Sequence, residues 1–305
     1  MIDFKRLELS QKARYDNILM NCEDRGCEYS FVNLFLWGRQ KAAFLDGFLV
    51  LQSQFDRRSV YPFPVGQGDV GPILDAVIAD ARARGIPCCL TSLSAQECEL
   101  LEARYPGRFR FHTNRDNFDY VYDINRLADL KGRKYQKKRN HLHRFQDAHP
   151  DCRFVPIEEI DSEALTRMLR TWYENKKAAD PSNDFHLEEL AIQRALKFRE
   201  CLAMEGLALM EGDELLAFTL GSRLNATTFD IHFEKAVEET AYAAINQAFA
   251  RHLREKYPEV RFLNREDDMG LEGLRKAKLS YSPDKMVEKY WARLWEDEDE
   301  HHHPA

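Results

Sequence analysis

Residues 206–233 read GLALMEGDELLAFTLGSRLNATTFDIHF, and this stretch decides the fold. Two apolar runs flank the pair Gly212-Asp213, whose backbone preferences turn a tight hairpin. The segment 227–233 then alternates, with Phe229, Ile231 and Phe233 on one face and Asp230 and His232 on the other. Downstream, Ile245, Ala248, Phe249 and Leu253 recur at helical spacing within 241–256, and 260–263 is a short apolar run of strand type. A hairpin, a strand, a helix and another strand in this order call for a mixed α/β sheet with at least one parallel pair, because a helical crossover returns the chain in the same direction.

Working outward, the same order recurs. Upstream of the hairpin, helices are predicted over 160–177, with Leu165, Met168, Leu169 and Trp172 on one side, and over 187–204. After 263 come a short helix over 270–279 and a strand or extended segment over 285–295. The first half reads alike. It has a helix over 11–22, an apolar stretch at 29–37, and a hairpin in KAAFLDGFLVLQSQ (41–54) turning at Asp46-Gly47. A strand at 59–64, the glycine-rich loop PVGQGDVG (64–71), a helix over 72–84 and a buried strand at 87–93 follow. Ser94 and Glu97 form a capping-box pattern for the next helix, and 109–124 reads as a further hairpin. The expected fold class is α/β with mixed sheets, in two tandem modules. Their expected bounds are 1–125 for the first module, 126–150 for a basic linker helix, 151–297 for the second module and 298–305 for a disordered tail.

The chain has 305 residues, a formal net charge of -7 and 44% hydrophobic residues, the profile of a soluble globular protein long enough for one large or two smaller domains. The acidic balance argues against duplex-DNA coating. No apolar run approaches the roughly 18 residues of a membrane span, and the N-terminus has no apolar signal core. Seven cysteines, an odd number without a CxxC pair, point to thiols in a reducing, cytoplasmic compartment.

Against that acidity, residues 131–144, KGRKYQKKRNHLHR, carry seven Lys or Arg and no acid. On a helix, Arg133, Lys137, Asn140 and Arg144 form one stripe with Lys134, Lys138 and His141 beside it, while Tyr135, Leu142 and Phe145 make a narrow apolar seam. Such a segment binds phosphates through Arg forks and Lys point charges, or is a solvated linker helix; mutual repulsion of the cations favours an anionic partner.

The other dense motif is NREDDMGLEGLRKAKLSYSP (264–283), which begins where the strand 260–263 ends. Asn264, Glu266 and Asp267 thereby stand at the carboxyl end of a strand, where open α/β sheets place ligands. Glu266 or Asp267 is a candidate general base for an attacking amine, and Arg275, Lys278 and Tyr281 are candidates to hold an anion or an oxyanion. The plain alternatives are helix caps, solvated acids and structural ion pairs. His232 is a candidate base from the alternating strand; a strand histidine is also commonly a satisfied structural residue.

These two motifs and the doubled order resemble the GNAT acyltransferase fold in tandem, as in the C-terminal domain of phosphatidylglycerol lysyltransferases and, in architecture, the Fem-type aminoacyltransferases. The resemblance implies transfer of an aminoacyl group from aminoacyl-tRNA to an amine or hydroxyl acceptor, with Glu266, Asp267, Lys278 and His232 in catalytic positions. It implies substrate contacts from Arg133, Lys137, Lys138, Arg139, Asn140, Arg144, Asn264, Arg275 and Tyr281. The expected partner is an anionic, phosphate-bearing substrate such as tRNA. The alternatives are coenzyme A-dependent N-acyl transfer, with the first-half glycine loop as donor site, and a non-catalytic nucleotide- or RNA-binding protein on a degenerate GNAT fold. No firm cofactor follows. His141 and His143 lie at i, i+2, wrong for one metal on a helix, and no metal site is expected from the sequence.

Overall fold

The computed structural model describes residues 1–23, 25–38, 40–55, 58–179 and 186–295. The tail expected at 298–305 lies outside the described residues. The first elements in chain order are β1 (Lys5–Arg6), α1 (Lys12–Leu19), α2 (Phe31–Trp37), β2 (Lys41–Leu45), β3 (Phe48–Phe55), β4 (Arg58–Pro62), α3 (Gly71–Ala83), β5 (Cys89–Leu93), α4 (Ala95–Arg104), β6 (Phe109–Thr113) and β7 (Asp119–Asp123). Then come α5 (Ile124–Asp129), α6 (Gln136–Ala148), β8 (Arg153–Pro156), α7 (Ser162–Ala179), α8 (His186–Lys197), β9 (Glu205–Glu211), β10 (Glu214–Arg223) and β11 (Thr228–Ala236). The last are α9 (Glu239–Lys256), β12 (Phe262–Asn264), α10 (Glu272–Leu279), β13 (Lys285–Val287) and β14 (Tyr290–Leu294). Among the described residues no helix is long and apolar enough to cross a membrane.

The described residues divide into two compact units: Met1–Asp119 with Asp267–Gly270 and 287–295, and Tyr120–Glu266 with Leu271–Met286. The first unit is built on a seven-stranded sheet of order β1-β2-β3-β4-β5-β14-β6. The Asp46-Gly47 turn joins β2 to β3 with both residues at positive φ, as the hairpin reading requires. β4 and β5 run parallel, the crossover being α3. The Ser94–Glu97 capping box forms at the start of α4. Val50, Tyr61, Leu74, Val77, Leu90 and Leu101 fill the core, each worth about 1.5–3 kcal/mol of apolar burial.

The second unit repeats the plan: its sheet has order β13-β7-β12-β11-β10-β9-β8, with β11 and β12 as the parallel pair and α9 as their crossover. Two α/β modules of one plan, each a mixed sheet with a helical crossover between parallel strands, are therefore present. One expectation is corrected. The segment 109–124 is not a hairpin, because β6 pairs with β14 in the first sheet while β7 pairs with β12 in the second. Alternation in the sequence marks both strands but is silent about their neighbours. Phe145 of α6 and Ile245, Phe249 and Leu253 of α9 pack with Phe229, Leu209 and Leu263 in the second core.

Candidate functional site

In the second unit β12 is only three residues long, and β11 continues beyond it. The parallel pair ends at Asp230↔Asn264, so polar side chains of β11 past that point face the loop that follows β12. Asn264, buried, turns this loop by accepting the Glu266 N–H on Oδ1 at 2.7 Å, and Glu266 takes the left-handed conformation with φ 58. A side-chain acceptor two residues back is a standard way to stabilise such a turn. Glu266 is thereby brought to His232, with Oε1 3.3 Å from Nδ1.

His232 owes its position to a β-bulge. Gly221 of β10 pairs with Ile231 and Leu220 with Phe233, leaving His232 as the extra residue on β11. Its Nε2 lies 2.7 Å from the hydroxyl of Ser222, and its Nδ1 is also 3.7 Å from Asp230 Oδ2. When the carboxylates are ionised they only accept, so in the absence of a cation an Nδ1–H donates to them, and the Ser222 hydroxyl meets Nε2.

Next to this pair, Glu234 of β11 holds Arg265 at 2.6 Å. The Arg265 guanidinium lies 5.0 Å from the Tyr281 ring centroid and 5.8 Å from that of Tyr122. On the same Tyr281 ring stands Lys138 of α6, its Nζ 3.8 Å from the centroid. Burial, and then the nearby Arg265 charge, depress the Lys138 ammonium to about 8. Lys138 from the basic helix is thus joined to Tyr281 and Arg265 from the second motif.

The other candidates are distributed as follows. Arg133, Lys137, Asn140 and Arg144 are exposed, along the expected stripe. Tyr135 and Phe145 bury the seam, and Leu142 packs partly against the core. α6 has no side-chain cap and no acid in its first turn, so Arg133, Lys134, Lys137 and Lys138 crowd a helix terminus that is itself positive. Arg139 donates to the carbonyls of Leu130 and Gly132 at 2.5 and 2.8 Å, bracing the approach to α6. Lys278 is buried and donates to the Arg265 carbonyl at 2.5 Å, holding the loop that carries Glu266. Arg275 is half-buried on α10. Asp267 falls in the first unit, as does Asp268, which accepts from Gly270 N–H at 2.9 Å.

Sequence reasoning passed over Ser222, Glu234 and Arg265. Strand alternation places Glu234 with His232, and Arg265 lies inside the quoted motif, so both had a signal; Ser222 depends on the bulge and had none.

The first unit contains the glycine loop before α3. There Asp69 Oδ1 accepts the Gly71 N–H at 2.9 Å, so an amide that a phosphate would need is already engaged. A cluster of the buried Asp119 with the partly buried Cys27 and Glu28 surrounds the Lys289 ammonium, which lies 2.6 Å from Asp119 and 2.7 Å from Glu28. None of the seven cysteines forms a disulfide.

Two GNAT-like modules with polar side chains gathered where parallel strands part define an acyltransferase-like protein. More specifically, the chain belongs to the family described as phosphatidylglycerol lysyltransferase, C-terminal, which it matches over residues 20–293. It is similar to a conserved protein of unknown function from Bacteroides thetaiotaomicron VPI-5482, with 37% identity, a TM-score of 0.89, and 97% of this chain and 100% of that one covered. The C-terminal domain of a putative lysylphosphatidylglycerol synthetase from Agrobacterium fabrum shares the fold at 14% identity and a TM-score of 0.66, covering 95% of this chain and 94% of that one. An uncharacterized protein of Mycoplasmoides gallisepticum is 27% identical over 207 residues, which span 67% of this chain and 64% of that protein.

Proposed function

We propose that the second unit transfers an aminoacyl group from aminoacyl-tRNA to an amine or hydroxyl acceptor. The observation that carries this reading is the set of contacts from Lys138 to Tyr281 and from Tyr281 to Arg265, whose chain neighbour Glu266 meets His232, so that a cation-rich helix and a carboxylate–imidazole pair lie together. The cation-rich start of α6 fits phosphates of the donor, since the positive helix end and Lys or Arg charges act on an anion together.

In this reaction the acceptor nitrogen or oxygen bonds to the ester carbonyl carbon, and the ester C–O bond to the terminal ribose breaks. Glu266, oriented by His232, takes the acceptor proton, and the released ribose oxygen is protonated in turn. Arg265 and Lys138 supply positive charge beside the carbonyl oxygen as it becomes anionic. Arg275, on α10 of the same unit, is proposed to steer the donor.

The test is incubation of the protein with tRNA charged with labelled amino acids in the presence of an amine and hydroxyl acceptor panel, alongside melting curves with charged tRNA, uncharged tRNA and acyl-coenzyme A. Stabilisation and label transfer with charged tRNA alone support the proposal. Stabilisation by acyl-coenzyme A alone overturns it.

A further inference from the structure

We infer that Asp230, His232 and Glu266 form a binding site for a divalent first-row cation, of which Zn2+ fits best. One donor atom from each of the three residues lies within 4.8 Å of the others. Nδ1 of His232 is 3.3 Å from Glu266 Oε1 and 3.7 Å from Asp230 Oδ2. Zinc binds imidazole nitrogen and carboxylate oxygen at about 2.0–2.2 Å, so tetrahedral ligands stand roughly 3.3–3.6 Å apart. The His232–Glu266 edge already matches, the His232–Asp230 edge is slightly long, and the Asp230–Glu266 edge, within 4.8 Å, closes as the cation draws the carboxylates in.

The chemistry of the set agrees. One imidazole with two carboxylates suits a borderline cation better than a soft one, and thiolates are lacking from the trio. With a cation on Nδ1 the ring proton sits on Nε2, which then donates to the Ser222 hydroxyl 2.7 Å away, the kind of outer contact that orients a metal-bound histidine. Asp230 and His232 have fully buried side chains on a strand, while the Glu266 side chain keeps 27% exposure. Two ligands are thus rigidly placed and the third borders an accessible side, where a fourth position is left for water or a substrate atom.

The bulge explains how one strand supplies two of the ligands. In regular pairing Asp230 and His232 share a face but project in parallel, whereas the extra residue at His232 re-aims its ring toward the loop carrying Glu266. The site deepens the proposed transfer reaction and rests on it only for its role: with a cation seated, Glu266 Oε1 is a ligand, its second oxygen takes the acceptor proton, and the acceptor atom is oriented in the fourth position.

The experiment uses the full chain with His301, His302 and His303 replaced by alanine, so that the tail offers no ligands. The protein is stripped with chelator and titrated with Zn2+ alone, and with Co2+ for spectroscopy. One cation per chain and a four-coordinate Co2+ spectrum are expected. Both are lost in Glu266→Gln and His232→Gln, while Ser222→Ala weakens binding by ~10–100-fold. Melting of each metal-free variant reports its fold. Should His232→Gln not fold, Glu266→Gln, beyond the end of β12, carries the test. A parent protein that binds no cation stoichiometrically, or variants that bind it as tightly as the parent, overturn the site. Binding is read without any acyl donor, so its failure and that of the transfer assay are separate results.

Discussion

The Lys138 ammonium lies 3.8 Å from the centroid of the Tyr281 ring, so α6 and the segment after α10 meet on one aromatic face. Burial and the Arg265 charge lower this ammonium from 10.5 to about 8. Between about pH 8 and 10.5 the unfolded chain therefore binds more protons here than the folded one, and stability rises with pH across that window. Lys138→Met is expected to remove this rise, as read from melting temperature against pH. Anion binding runs the other way: tRNA affinity falls as pH increases through 8, and falls less in the variant.

Glu266→Gln keeps the size of the side chain and removes its basicity. Transfer measured under single-turnover conditions is expected to drop by ~10²–10⁴-fold, with donor binding changed little. An unchanged rate would remove Glu266 from the reaction.

Arg265 and Glu234 form an ion pair with side-chain exposures of 13% and 9%. Removing one partner leaves a buried charge and is expected to cost about 3–5 kcal/mol, as Arg265→Met should show in urea unfolding. Replacing both by apolar residues of similar size recovers much of that loss. Activity does not return, because the charge beside Tyr281 is gone.

Gly221 is the bulge partner opposite His232. A Cβ there would meet the Asp230 carbonyl oxygen at 2.4 Å, which is backbone and gives way only if the strands shift. Gly221→Ala is expected to destabilise by about 1–3 kcal/mol. It should also perturb the His232 ring resonances more than Gly212→Ala does, since Gly212 sits in an open turn.

In the first unit, burial opposes the Lys289 charge, but Asp119, Cys27 and Glu28 outweigh it and raise the ammonium well above the usual lysine range. The stabilisation is present below about 10.4, where an unfolded lysine is charged, and is lost only as pH rises through the folded value. Lys289→Met, which leaves Asp119 buried and uncompensated, is expected to lower stability by about 3–5 kcal/mol at neutral pH, measured by denaturant unfolding.

Much of this architecture is written in local chemistry. Asp46-Gly47 and Gly212-Asp213 announce their hairpins because positive φ is demanded there, and Ile245, Phe249 and Leu253 announce α9 by period. The cationic stripe of α6 is equally plain. What is hidden depends on distant partners. Nothing in 109–124 tells β7 to leave β6, and nothing near Ser222 tells that its hydroxyl meets His232 across a bulge. Lys278 and Arg139 show the opposite limit: their charge invites a substrate role, while their donors meet backbone carbonyls.

Because β14 inserts between β5 and β6, the first sheet stays incomplete on the ribosome after its other strands have emerged. About 180 further residues must be made before Tyr290–Leu294 can enter, roughly ten to forty seconds at ordinary elongation rates. The gap exposes two unpaired strand edges throughout that interval, so chaperone demand and misfolding during synthesis should concentrate in the half of the protein that is translated first.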